Sequence, residues 1–168
     1  MTKPIKKSVN LNFSEYPSIE SLPPELHSLT LEALSATGTS YSPYSQFAVG
    51  CAVLLQNGVV VKGSNQENGA YPSGLCAERV ALFYAGSSNP GVAVSALAIA
   101  ALHNGELVGS PIAPCGACRQ VMMEYRILGG KPMQAVLAGK TKVIVVHDTK
   151  DLLPLSFVNA HRAMGHGG

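Results

Sequence analysis

Ala48-Val-Gly-Cys-Ala-Val-Leu-Leu55, Gln56-Asn-Gly58 and Val59-Val-Val-Lys62 form the stretch that decides the architecture. Two apolar runs are joined by Gln56-Asn57-Gly58, and Asn-Gly accepts the positive φ angles that a tight hairpin demands. Both alternating sets of the first run are apolar: Val49, Cys51, Val53 and Leu55 in one, Ala48, Ala52 and Leu54 in the other. Such a strand is covered on both faces. The flanking segments supply the covers. Upstream, Ser21-Leu-Pro-Pro-Glu25 reads as a helix start, with a Ser cap, prolines in the first turn and an early carboxylate. Leu22, Leu26, Leu29, Ala33 and Leu34 continue at helical spacing until Gly38. Downstream come a polar loop from Ser64 to Gly74, a helix from about Cys76 to Ala85, and a buried strand over Val92 to Leu102. A helix from Cys115 to about Leu128 follows, with Val121, Met122, Tyr125 and Leu128 on one face, then strands over Met133–Ala138 and Lys142–His147. The order α-β-β-α-β-α-β-β predicts a three-layer α/β/α sandwich around a mixed five-stranded sheet.

The chain has 168 residues, 46% of them hydrophobic and 13% charged. That length carries one domain, and that balance excludes a disordered chain. Residues 1–20 are polar and without period, and read as an N-terminal arm before a single domain over 21–168. The net charge of +2 belongs to that arm, because Lys3, Lys6 and Lys7 lie in it. Without them nine basic residues face ten acidic ones. A body of that kind lacks the basic surface that nucleic-acid binding needs. No apolar core of a signal peptide follows the early lysines, and the longest apolar stretch, residues 91–102, falls short of the ~20 residues of a membrane span. The expectation is a soluble cytoplasmic protein with no membrane partner and with reduced thiols. The Met164-Gly-His-Gly-Gly168 end reads as frayed.

Reduced thiols give the four cysteines other work. Cys76-Ala-Glu78 and Pro114-Cys-Gly-Ala-Cys118 both sit where a loop becomes a helix. Helix N-termini expose free N–H groups and a positive dipole end, which stabilise thiolates. Cys76, Cys115 and Cys118 are three soft ligands that suit Zn²⁺ and leave one tetrahedral position for water. Glu78, two residues past a ligand, can accept a proton without being a ligand itself. A thioredoxin-like reading of Cys115-Gly-Ala-Cys118 leaves Cys76 and Glu78 without a role. A structural zinc site needs a fourth ligand such as His103 or His147, and neither has ligand spacing. Cys51, inside a strand pattern, reads as a core thiol.

Cys76-Ala-Glu-Arg79 with Pro114-Cys-Gly-Ala-Cys-Arg-Gln120 resembles the zinc-dependent cytidine deaminases of the small, three-cysteine type, whose Pro-Cys-x-x-Cys signature belongs to the zinc deaminases. The likeness runs from roughly Leu22 to Phe157. It includes Tyr41-Ser-Pro-Tyr-Ser-Gln-Phe-Ala-Val-Gly50, Asn65-Gln-Glu-Asn-Gly-Ala-Tyr-Pro72 and Leu152-Leu-Pro-Leu-Ser-Phe157. The resemblance implies a cytidine deaminase-like fold and one Zn²⁺ per subunit on Cys76, Cys115 and Cys118. It implies hydrolytic deamination of cytidine and 2′-deoxycytidine, a pyrimidine-salvage reaction, with Glu78 as the catalytic proton carrier. Phe47 and Ala77 would meet the base, and Asn65 and Glu67 the sugar hydroxyls. Arg79 and Arg119 would offset thiolate charge. Gly69, Tyr71 and Phe157 would complete sites shared between chains of a homotetramer. Glu67 beside the sugar should repel a 5′-phosphate, favouring nucleosides over nucleotides. Blasticidin-S deaminase shares the zinc motif but not the Leu-Leu-Pro-Leu-Ser-Phe ending; a non-catalytic zinc-binding protein on the same fold would not need Glu78, Asn65 and Glu67. The chain departs from the family pattern at Val80, Ala113 and Gly69.

Overall fold

The structure, a computed structural model, describes residues 3–158. The hairpin forms as its sequence requires. β2 (Phe47–Leu55) turns through Asn57-Gly58, with Gly58 at φ 84°, into β3 (Val60–Ser64). The register runs from Leu54↔Val60 to Gly50↔Ser64. On its other side β2 pairs antiparallel with β4 (Val94–His103), from Phe47↔His103 to Leu55↔Val94. β4 pairs in parallel with β6 (Gln134–Ala138), and β6 antiparallel with β7 (Val143–Val146). The parallel step is reached through α3 (Gly116–Gly129), the kind of crossover that parallel pairing requires.

The two apolar sets of each central strand meet different helices. Cys51, Val53, Leu97 and Ile99 pack with Ala81 and Leu82 of α2 (Ala77–Ser88) and with Met122 of α3. Ala52, Leu54, Ala96, Ala98 and Ala100 pack under Leu26, Leu29 and Ala33 of α1 (Pro24–Ala36). The alanine face of β4 leaves α1 room to lie close. Two glycines carry that closeness to its limit. A Cβ on Gly50 would stand 2.1 Å from the Ala33 carbonyl oxygen of α1, and one on Gly63 would stand 2.5 Å from Ala81 N of α2. The layers are therefore α1, sheet, and α2 with α3, the three-layer α/β/α arrangement expected from the sequence.

The sheet has seven strands where the sequence pattern predicts five. β1 (Phe13–Tyr16) lies inside the segment read as an arm and pairs antiparallel with β7, Phe13↔Val146 to Tyr16↔Val143. The order is β1-β7-β6-β4-β2-β3. Phe13-Ser-Glu-Tyr16 is short and polar at its centre, and the pairing is secured from far away. Ser14 Oγ lies 3.0 Å from His147 Nε2, and Lys142 Nζ lies 2.7 Å from Glu15 Oε1. β5 (Glu106–Leu107) folds back on β4 through Asn104-Gly105, both at positive φ. Ser21 is not the cap of α1. It ends a 3₁₀ turn over Ile19–Ser21 and donates to the Ser18 carbonyl, while Pro23 precedes α1. The glycine-rich 164–168 end lies outside the described residues. Among those described, no helix is long and apolar enough to cross a membrane.

Candidate active site

α2 and α3 lie side by side on one face of the sheet, and each begins at a cysteine. Cys76 and Cys115 occupy the two N-cap positions in extended backbone, and Cys118 lies in the first turn of α3. Their Sγ atoms converge, 3.8 Å for Cys76–Cys115 and 3.4 Å for Cys115–Cys118, all three within 4.8 Å. Sulfurs held ~2.3 Å from a tetrahedral Zn²⁺ lie about 3.8 Å apart. The donor set and its spacing therefore fit zinc closely. Cys118 is buried, Cys76 half-buried and Cys115 exposed, so the cluster opens to one side only.

The electrostatics favour thiolate. The Cys118 thiol beside Cys76, helped by the Arg79 guanidinium, holds Cys76 down to about 5 against the opposing effect of burial. The same contact, with burial, pushes Cys118 well up. Cys76 is thus the readier thiolate of the pair. Arg79 Nη2 reaches Cys76 Sγ at 3.7 Å. Glu78, on the first turn of α2, is 5% exposed. Burial pushes its carboxyl above the usual range, and the Cys76 charge adds to that.

A cleft of about 370 Å³ joins these groups to the start of β2 and the end of β3, where Phe47, Asn65, Glu67, Cys76, Ala77, Glu78 and Cys115 all line it. A second cleft of about 550 Å³ adjoins it, sharing Asn65, Glu67 and Cys76 and bordered by Tyr44, Tyr71 and Arg79. The smaller cleft is the chemical one, because it holds Glu78 beside two of the sulfurs.

The polar wall opposite Glu78 is tightly bonded. Asn65 Oδ1 accepts from Val49 N at 2.8 Å and from Ser40 Oγ at 2.6 Å, and its Nδ2 donates to the Phe47 carbonyl at 2.9 Å. An amide has two N–H donors, so one remains for a ligand. Glu67 Oε2 accepts from Tyr44 N at 3.0 Å and Ser45 N at 3.2 Å, and its Oε1 from Ser45 Oγ. These donors, Ser45 Oγ foremost, hold the Glu67 carboxyl below the usual range. The Phe47 ring lies 6.1 Å from that of His103.

Of the residues assigned from the sequence, Arg79 and the buried Cys118 flank the chemical cleft through the sulfur cluster, and Gly69, Tyr71, Phe157 and Arg119 stand outside it. Gly69 is exposed, and a Cβ there would lie 3.1 Å from Tyr44 Oη. Tyr71 is 75% exposed and stands edge-on to Tyr44, ring centroids 6.0 Å apart. Phe157 is 80% exposed, its carbonyl accepting from Gln120 Nε2 at 3.0 Å. Arg119 corrects the expectation of a thiolate partner. Its Nε donates to the Pro114 carbonyl at 2.8 Å and its Nη1 to the Leu152 carbonyl at 3.1 Å. It ties the loop before Cys115 to the C-terminal segment, an outcome set by tertiary placement and invisible in the local motif. Ser40 and Gln120, which sequence reasoning missed, serve as supports. The hydroxyl-rich run Thr39-Ser-Tyr-Ser-Pro-Tyr-Ser45 was the available signal for the first.

Comparison with known proteins agrees with this geometry. Residues 24–129 match the family described as the cytidine and deoxycytidylate deaminase zinc-binding region. A cytidine deaminase of Halalkalibacterium halodurans is 40% identical over 129 residues, covering 77% of this chain and 91% of its relative. One from Mycobacterium tuberculosis is 38% identical over 130 residues, covering 74% and 84%. Among solved structures, a cytidine deaminase from Burkholderia pseudomallei superposes with a TM-score of 0.67 at 42% identity, covering 78% of this chain and 98% of that one. The Mycobacterium tuberculosis cytidine deaminase structure gives 0.62 at 35% identity, covering 79% and 96%. This chain therefore belongs to the zinc-dependent cytidine deaminase family.

Proposed function

We propose that this chain hydrolyses the exocyclic amine of cytidine and 2′-deoxycytidine, giving the uracil nucleoside and ammonia. The observation that carries the reading is one cleft holding a buried carboxylate, Glu78, beside converging thiolates, with a polar amide–carboxylate pair opposite. Held by Cys76, Cys115 and Cys118, Zn²⁺ would lower the pKa of water from 15.7 towards ~7 and supply hydroxide at neutral pH.

The chain's own residues do the rest. Glu78 takes a proton from the attacking water and delivers it to the pyrimidine N3, which lets C4 accept the nucleophile. It then carries the remaining proton of the added C4 hydroxyl to the amine, and the C4–N bond breaks with release of ammonia, leaving a C4 carbonyl. A buried carboxyl with raised proton affinity suits both halves of that shuttle. Phe47 supplies an apolar wall for the base. The free Asn65 N–H donates to the sugar, and Glu67 accepts from a sugar hydroxyl. Glu67 stays ionised beside the sugar, so a 5′-phosphate meets a like charge. Arg79 offsets thiolate charge.

Sites shared within a homotetramer, with Gly69, Tyr71 and Phe157 contributing to neighbouring subunits, fit the exposure of those three residues. The same reading places the enzyme in the cytoplasm, acting on free nucleosides.

The test is ammonia release from cytidine, 2′-deoxycytidine and dCMP. Zinc-loaded protein should turn over both nucleosides and leave dCMP nearly untouched. Glu78→Gln should lose roughly 10²- to 10⁴-fold in kcat while keeping its zinc. Absence of ammonia from the zinc-loaded wild type would end the reading.

A further inference from the structure

Ser45 lies between the two residues that the proposed reaction uses on different parts of its substrate. Its Oγ donates to Glu67 Oε1 at 2.5 Å and accepts from the Phe47 N–H at 3.1 Å, and its own N–H donates to Glu67 Oε2. One hydroxyl therefore joins the carboxylate at the end of β3 to the residue at which β2 begins. The Phe47 carbonyl is held in turn by Asn65 Nδ2. Both peptide groups of Phe47 are thus fixed by side chains.

The backbone between Ser45 and Phe47 is held in a costly shape. Gln46 has φ 54°, in the left-handed region that a non-glycine residue keeps only where its surroundings over-determine it. The Gln46 N–H to Ser42 carbonyl bond of 3.0 Å and the bonds of Ser45 supply that constraint. Ser45 is exposed, so its hydroxyl and the Glu67 carboxylate could both be satisfied by water. Direct bonding there adds direction to the carboxylate and serves no need of burial.

We propose that Ser45 is a positioning residue whose hydroxyl locks the sugar-facing carboxylate of Glu67 to the base-facing residue Phe47, so that the two walls of the nucleoside site are set as one unit. The inference rests on the deaminase reading above. It assigns the loss on removing the hydroxyl to substrate binding, because Ser45, though it lines the same cleft as Glu78, spends its hydroxyl on Glu67 and Phe47. It also makes the loss depend on Glu67.

Steady-state deamination of cytidine by wild type, Ser45→Ala, Ser45→Thr, Glu67→Gln and the Ser45→Ala/Glu67→Gln double variant tests this. Ser45→Ala should raise KM roughly fivefold with kcat within about twofold and zinc content unchanged. Ser45→Thr, which keeps the hydroxyl, should hold the wild-type KM. In the Glu67→Gln background, Ser45→Ala should add less than about twofold to KM. An unchanged KM in Ser45→Ala, an equal loss in Ser45→Thr, a loss confined to kcat, or full additivity with Glu67→Gln overturns the inference and leaves the deaminase reading intact. No turnover by the wild type overturns both.

Discussion

Arg79 shows how much one residue at the metal centre is asked to do. Three thiolates carry more negative charge than one divalent cation cancels, and two helix N-termini offset only part of it. The guanidinium stands 3.7 Å from Cys76 Sγ, and its Nε is buried without a hydrogen-bond partner among the described residues. That residue is committed to the sulfur by placement. Arg79→Ala should weaken zinc retention roughly tenfold, the worth of one charged hydrogen bond, with Arg79→Lys between it and the wild type because lysine keeps the charge and loses the planar fork. Competition with a chelator reads this directly, and equal retention in all three proteins would refute it. Arg119, one residue past Cys118, was given the same role by its sequence neighbourhood and has a different one. Its acceptors are carbonyls of Pro114 and Leu152, brought together only by the fold. The convergence of Cys76, Cys115 and Cys118, with Glu78 beside them, was legible because a cysteine at a helix start has a local physical meaning. The bonding of Asn65 and Glu67 was not, since it depends on where a distant loop comes to rest.

At the scale of elements, α3 is joined to the segment after β7 by a forked ion pair. Arg126, in the last turn of α3, donates Nε and Nη2 to Asp148, with the closest approach 2.9 Å and both side chains mostly buried. Burial alone would raise the Asp148 carboxyl, but the Arg126 bonds and the Lys150 N–H hold it below the usual range. A carboxyl depressed in the folded state contributes stability that is complete above its unfolded value of ~3.9 and is lost as the pH falls through the folded value. Asp148→Asn should therefore cost about 2 kcal/mol near neutral pH, between surface and fully buried pairs. Measured by urea unfolding, the gap from wild type should close as the pH falls below ~4; a gap independent of pH would contradict this. The zinc centre is common to both proteins and cancels in the difference. The longer elements were legible because their two-sided or helical apolar patterns repeat, and β7, with only four residues, because Val143-Ile-Val-Val146 is apolar throughout. β1, Phe13-Ser-Glu-Tyr16, carries polar residues at its centre and sits in a polar stretch, and β5 has only two residues. For β5 the local signal is the turn dipeptide Asn104-Gly105, the same chemistry as Asn57-Gly58, but only two residues follow it in the strand.

The whole molecule presents an apolar C-terminal segment to solvent. Leu155 is fully exposed at φ 55°, and Phe157 is 80% exposed beyond it. The segment is nonetheless anchored, by Arg119 at Leu152 and by Gln120 at Phe157. A fixed apolar projection suits insertion into another copy of the chain. Mass measurement in solution should give four chains, and Phe157→Ala should lower activity while leaving the zinc content of each chain unchanged. A fully active monomer would rule out shared sites.

One consequence concerns time. β1 pairs with β7, so the partner of residues 13–16 is made some 130 residues later. At ~5–20 residues per second, the first strand waits roughly 7–26 s on the ribosome before its ladder exists. Until β7 is made, β1 has no partner strand. The charged Glu15 at the centre of β1 disfavours pairing of that lone strand with a strand of another copy in the meantime.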